Sequence, residues 1–208
     1  MPKTLPDKIT QQKPDRSSPP GRVKIMKALR DLLGEKEFSA ITWADIAGTA
    51  GVNEGLIYKY FKDSRNLLHE VLKEFLKPYA DRMELEITGL EGAFNKLRKL
   101  IWIHFDIYNS DRIFAKILLL EVRNYPGYFQ SETYKLIQHY ANIILDTIKE
   151  GMRKGEIRDD VSPRNLRQII IGGIEHCCLP GVIFKKKWSP DALTEDLCTI
   201  LFNDLRKN

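Results

Sequence analysis

The chain has 208 residues, 43% of them apolar, and carries 33 Lys and Arg against 28 Asp and Glu, a formal charge of +5 with an isoelectric point near 9.0. That length buries a real core in one or two domains, and the charge suits a polyanionic partner without requiring one. The three cysteines, Cys177, Cys178 and Cys198, exclude a disulfide framework; the adjacent pair would diverge by about 100° on a helix, which argues against a shared metal site and for small core or interface residues in a reducing cytoplasm.

Residues 1–20 hold five of the ten prolines and almost no aliphatics, so they read as a disordered tail whose Lys3, Lys8, Lys13 and Arg16 could touch DNA phosphates. The tail has no apolar segment of the signal-peptide kind. Later apolar runs, such as Lys116–Val122, fall far short of the ~18 residues of a membrane span. From Gly21 onward the pattern is helical. Val23, Met26, Leu29, Leu32 and Leu33 share one face. Thr42 precedes a short apolar stretch as an N-cap, with Asp45 completing a capping box, and Asn53 is a second N-cap candidate. A longer helix opens at Asp63 and carries Leu67, Leu68, Val71, Leu72, Phe75, Leu76 and Tyr79. Pro78 interrupts it and predicts a kink or a break, because it removes an intrahelical bond. Further helices are predicted at about 91–109, 111–122, 127–152, 163–185 and 190–206, punctuated by Gly127, Gly151, Gly155, Pro163, Gly181 and Pro190. No strand alternation persists, and about nine helices in an all-α chain are expected.

Two short helices, about Trp43–Ala50 and Asn53–Phe61, with a tight turn at Gly51 have the form of a helix-turn-helix. Val52, Ile57 and Phe61 anchor the second helix inward. Asn53, Glu54, Gly55, Leu56, Tyr58, Lys59 and Tyr60 are left outward. Such a helix lies against the major groove. Tyr58 and Tyr60 hydroxyls suit phosphate oxygens, and Lys59 adds charge that releases counterions. Gly55 allows close approach. Thr42 and the neighbouring Trp43 stand at a helix N-terminus that favours a phosphate, and Lys62 follows the helix. A helical hairpin whose tyrosines only cap a core is the other reading of the same residues.

The stretch from Phe38 to Leu72 resembles the DNA-binding domain of TetR-family transcriptional regulators, through Phe38, Thr42, Ile46-Ala47, Ala50-Gly51-Val52, Gly55, Ile57-Tyr58, Tyr60-Phe61 and Leu67-Leu68. The resemblance implies a three-helix helix-turn-helix domain over 21–66 and a helical ligand-binding and dimerisation domain over 67–208. It also implies a homodimer on a palindromic operator, usually a repressor, released when a small molecule binds the C-terminal domain. Leu56 departs from the Ser or Thr common at its position; leucine cannot hydrogen-bond but can meet a thymine methyl, and Glu54 can accept from cytosine.

Further along, Leu120-Glu121-Val122-Arg123, Gly151 with Gly155-Glu156-Ile157, and Ile171-Gly172-Gly173-Ile174-Glu175 resemble the branch of that family that holds fatty-acid-degradation repressors, which implies a long-chain acyl-CoA or fatty acid effector. A multidrug sensor of planar or cationic compounds is the alternative. Bulky residues predict an apolar cleft between helices, with Trp102, Phe105, Phe114, Leu118, Tyr140, Ile144, Ile170 and Gly173 as ligand contacts and Arg123 as a polar anchor. His104 and His139 are further anchors to consider. For dimerisation, Ile169, Gly173, His176 and Cys177 share one face, and Leu193, Leu197, Ile200 and Leu201 another. No nucleophile–base set, phosphate loop or metal-ligand spacing is present, so neither catalysis nor a metal or cofactor is expected.

Overall fold

The computed structural model describes residues 18–206, so the expected tail lies outside the described residues as far as residue 17. Its last residue, Pro20, instead opens the first helix, because a proline at the first helical position has a suitable φ and no N–H to leave unpaired. Among the described residues there are nine α-helices and no strand, only an isolated bridge between Ile157 and Arg206. The chain divides into two compact units between Leu67 and Leu68.

The first unit contains α1 (Pro20–Leu33), α2 (Trp43–Ala50) and α3 (Glu54–Tyr60). Its core is Ile25, Met26, Ala28, Leu29, Leu32, Leu33, Phe38, Ile46, Ala47, Ile57 and Phe61, all buried. Each large side chain there contributes about 1.5–3 kcal/mol by leaving water. Thr42 accepts from the Asp45 amide at 3.1 Å, and Asp45 accepts from the Thr42 amide at 2.9 Å, the reciprocal capping box. Asn53 caps α3 through the Leu56 amide at 2.9 Å. The turn between α2 and α3 is closed by Gly51 at φ 65°, with the Val52 amide returning to the Ala47 carbonyl at 3.0 Å; a side chain in that left-handed conformation would be strained.

The boundary between the units falls inside α4 (Ser64–Ile87), which runs through Pro78 without a break. The lost bond at Pro78 is outweighed by the burial of Leu72, Leu76, Tyr79 and Met83 along the helix. The second unit then holds α5 (Ala93–Ser110), α6 (Arg112–Lys116), α7 (Glu132–Arg153), α8 (Pro163–Phe184) and α9 (Pro190–Phe202). α5 is its central helix, with Leu97, Leu100, Ile101, Ile103, Phe105, Ile107 and Tyr108 buried against α7, α8 and α9.

Three predicted helices differ in detail. The 111–122 segment is α6 followed by a π-helical turn at Ile117–Glu121, where the Val122 amide reaches back to the Ile117 carbonyl at 3.1 Å. The 127–152 segment begins as a 3₁₀ turn, Pro126–Gln130, and becomes α-helical only at Glu132, because Ser131 caps a new helix through the Tyr134 amide. The last helix ends at Phe202 rather than 206, where the chain turns so that the Arg158 amide can donate to the Leu205 carbonyl.

The Gly155-Glu156-Ile157 turn joins α7 to the rest of its unit. Gly155 takes φ 74°, the Glu156 carboxylate accepts from the Ala93 amide at 2.5 Å and so caps α5, and Ile157 is fully buried. Gly151 sits beneath it: a Cβ there would lie 2.5 Å from that of Ala93 and 2.7 Å from Ile157.

Candidate functional site

In the first unit, the sequence places a polar and aromatic surface on α3. Tyr58 is 57% exposed, and its ring is braced edge-on by Trp43 at 5.7 Å. Lys59 is exposed, with its ammonium 5.7 Å from the Tyr60 ring. Asn53, Glu54, Gly55 and Lys62 are exposed, while Tyr60 and Trp43 are half-buried. Leu56 is half-buried as well, and its methyl approaches Gly21 of α1, where a Cβ would meet it at 2.8 Å. Thr42 is exposed, but its hydroxyl donates to Asp45 at 2.9 Å. The donors open to an anion at this end of α2 are therefore the amides of Trp43 and Ala44, which have no intrahelical acceptor, since the Asp45 amide is taken by Thr42. The Thr42 amide and the Lys36 ammonium, donating to Asp45, hold its carboxyl down at about 2.

In the second unit, a cavity lies among α4, α5, α6, α7 and α8. It has about 520 Å³ of space free of protein atoms, part of it continuous with solvent. Its walls are mostly apolar: Leu76, Tyr79, Met83, Ile107, Phe114, Leu118, Ile137, Ala141 and Ile171. The aromatic rings are mutually packed, Phe114 lying 5.1 Å from Tyr79 and 6.1 Å from Tyr108. The polar lining consists of His104, Tyr108, Arg123, Tyr140 and Glu175.

Most of these polar groups are already engaged. The Tyr140 hydroxyl donates to the Leu76 carbonyl at 2.9 Å, and burial pushes its pKa up to about 12. His104 Nδ1 lies 2.7 Å from the Leu100 carbonyl; a carbonyl cannot donate, so Nδ1 carries the proton. Burial lowers the imidazole's pKa and favours its neutral form. Burial raises the Tyr108 phenol too. Arg123 forks onto Glu175, Nη1 to Oε2 at 2.7 Å and Nη2 to Oε1 at 2.5 Å, and these bonds raise the guanidinium's pKa.

Of the residues predicted to contact a ligand, Phe114, Leu118, Arg123 and Tyr140 line this cavity. Trp102 does not: its indole donates to Asp191 at 2.7 Å, with the Lys99 ammonium 4.7 Å above its ring. Phe105, Ile144 and Ile170 are fully buried outside the lining, and Gly173 faces Leu197 of α9, whose methyl would meet a Cβ at 3.1 Å. His139 is exposed, 3.5 Å from Glu84. Sequence reasoning did not single out Leu76, Tyr79 or Met83 as cavity residues; the helical spacing of Leu76 and Tyr79 marked a buried face and nothing more. On the predicted pairing faces, Ile169 and Ile200 are 56% and 71% exposed, His176 and Cys177 are exposed, and Leu193, Leu197, Leu201 and Gly173 are half-buried. Among the described residues, no three His, Cys, Asp or Glu side chains gather as metal ligands.

Comparison with known proteins covers both units. Residues 25–71 match the family described as bacterial regulatory proteins, tetR family, and residues 69–204 match the YsiA-like protein C-terminal region. The chain is 28% identical over 186 residues to the fatty acid metabolism regulator protein of Bacillus subtilis (strain 168), spanning 89% of this chain and 96% of that one. A crystal structure of the transcriptional regulator FadR from Bacillus subtilis in complex with stearoyl-CoA superposes with a TM-score of 0.79 at 28% identity, covering 88% of this chain and 99% of that one. The fatty acid degradation regulator FadR from Bacillus halodurans shares the fold, with a TM-score of 0.80 at 23% identity over 93% and 100% of the two chains.

Proposed function

The chain belongs to the TetR family of bacterial transcriptional regulators, and from that premise we propose that it is a repressor released from its operator by a long-chain acyl-CoA or fatty acid. It is a ligand-responsive DNA-binding regulator. The observation that carries the effector reading is a largely apolar cavity in a chain similar, along nearly its full length, to a regulator seen with stearoyl-CoA. On the DNA side, Tyr58, Lys59 and Lys62 present hydroxyl and ammonium groups to phosphates, supported by the Trp43 and Ala44 amides at the start of α2.

Pairing through α8 and α9 supports the two-fold reading. α8 is long and apolar enough to cross a membrane on length and composition alone, and only 28% of its most apolar window is buried. Covering that face with a second copy accounts for its exposed Ile169 without a bilayer, and is consistent with a cytoplasmic protein that acts on DNA rather than as an enzyme. Two recognition helices related by such a pairing would read half-sites about one helical turn, 34–36 Å, apart or more. Glu175 would favour the alternative, a sensor of cationic compounds, if its charge were open; Arg123 neutralises it.

The test is a gel shift on the DNA flanking the protein's own gene. Palmitoyl-CoA is expected to release the DNA, and a planar cationic dye is expected not to. Release by the dye alone would reverse the effector assignment, and no shift on any flanking DNA would remove the operator from that region.

A further inference from the structure

We propose that Glu175 determines ligand specificity, holding the Arg123 guanidinium so that the cavity takes long alkyl chains that end beside the pair in an uncharged group, such as a thioester or an alcohol, and rejects free carboxylates. The inference rests on the effector reading above and narrows it. The lining carries one guanidinium and one carboxylate, and the two are spent on each other through both terminal nitrogens of Arg123. His104 adds no positive charge in its neutral form, and its Nδ1 proton is committed to Leu100. Tyr140 is committed to Leu76. The other cation nearby, Arg112, donates to the Gly181 and Lys186 carbonyls and stacks on Trp188 at 3.5 Å.

An incoming carboxylate therefore finds the terminal-nitrogen fork of Arg123 filled and no net positive charge in the lining. It loses hydration on entering a largely apolar chamber, and a neutral ion pair returns less of that cost than a free guanidinium would. A thioester, ester or alcohol carries no such charge, and a neutral oxygen can accept or donate at the rim of the pair. Removing the Glu175 charge would free the Arg123 fork for the bidentate carboxylate geometry that guanidinium favours.

Calorimetric titration of the full chain with dodecanoate, dodecanol and dodecanoyl-CoA tests this. The wild-type protein is expected to bind dodecanol and dodecanoyl-CoA at least tenfold more tightly than dodecanoate. Glu175→Gln is expected to tighten dodecanoate at least tenfold, about 1.4 kcal/mol, while dodecanol changes less than twofold. Glu175→Ala, which leaves no amide to hold Arg123, gives the same inversion and carries the test if the glutamine variant does not fold. Wild-type protein that binds dodecanoate as well as dodecanol, or a Glu175 variant with no gain for dodecanoate, overturns the inference and leaves the effector reading standing. Failure of all three ligands to bind wild-type protein overturns both.

Discussion

Lys59 is a single exposed ammonium on α3, next to a tyrosine that is more than half exposed, and its contribution is separable from that of the fold. Lys59→Ala is expected to weaken binding to all DNA sequences alike and to flatten the slope of log affinity against log salt by about one unit. Titrations at several salt concentrations measure it, and an unchanged slope would remove Lys59 from the phosphate contacts. At this scale the caps were legible, because Thr42 and Asn53 act on amides three residues away and local rules describe them fully. Leu56 was not: its neighbour Gly21 lies at the far end of the domain sequence. The partner of Arg123 was equally hidden, since Glu175 is 52 residues away.

At the scale of elements, the close approach of α5 and α7 depends on Gly151. A Cβ there would lie 2.5 Å from the Ala93 Cβ, which moves only with its backbone, and 2.7 Å from the Cδ1 of the fully buried Ile157. Gly151→Ala is expected to destabilise the protein by about 1–3 kcal/mol through overpacking, offset by at most ~1 kcal/mol of helix propensity. Chemical denaturation measures it; a variant as stable as wild type would show that α5 and α7 can separate without cost. Helix identities were legible from apolar spacing and from Gly and Pro punctuation. The π turn at Ile117–Glu121 was not, because a run of leucines and isoleucine suits an α-helix as well, and one widened hydrogen bond leaves no trace in composition. The continuity of α4 through Pro78 was also undecided, since it depends on how much of the flanking apolar surface is buried.

For the whole molecule, the exposed apolar residues of α8 and α9 predict assembly. Wild-type protein is expected to sediment as a pair of 24.1 kDa chains, and Ile169→Asp with Ile200→Asp as a single chain with unchanged helical circular dichroism. A wild-type monomer would rule out this pairing face. The effector and the operator are then coupled by linkage: whatever factor the effector takes from DNA affinity, DNA takes from effector affinity.

The sequence by itself determined the helical content and the capped helix-turn-helix, because capping, turn geometry and apolar period are short-range properties, and its resemblance to a known set of motifs gave the family. Only the tertiary structure decided which inward side chains border open space and which fill it. Phe114 and Tyr140 line the cavity, while Phe105 and Ile144 are buried outside its lining. Helical spacing identifies a buried face, but the gap between two such faces depends on how distant helices pack, and no local pattern encodes that distance.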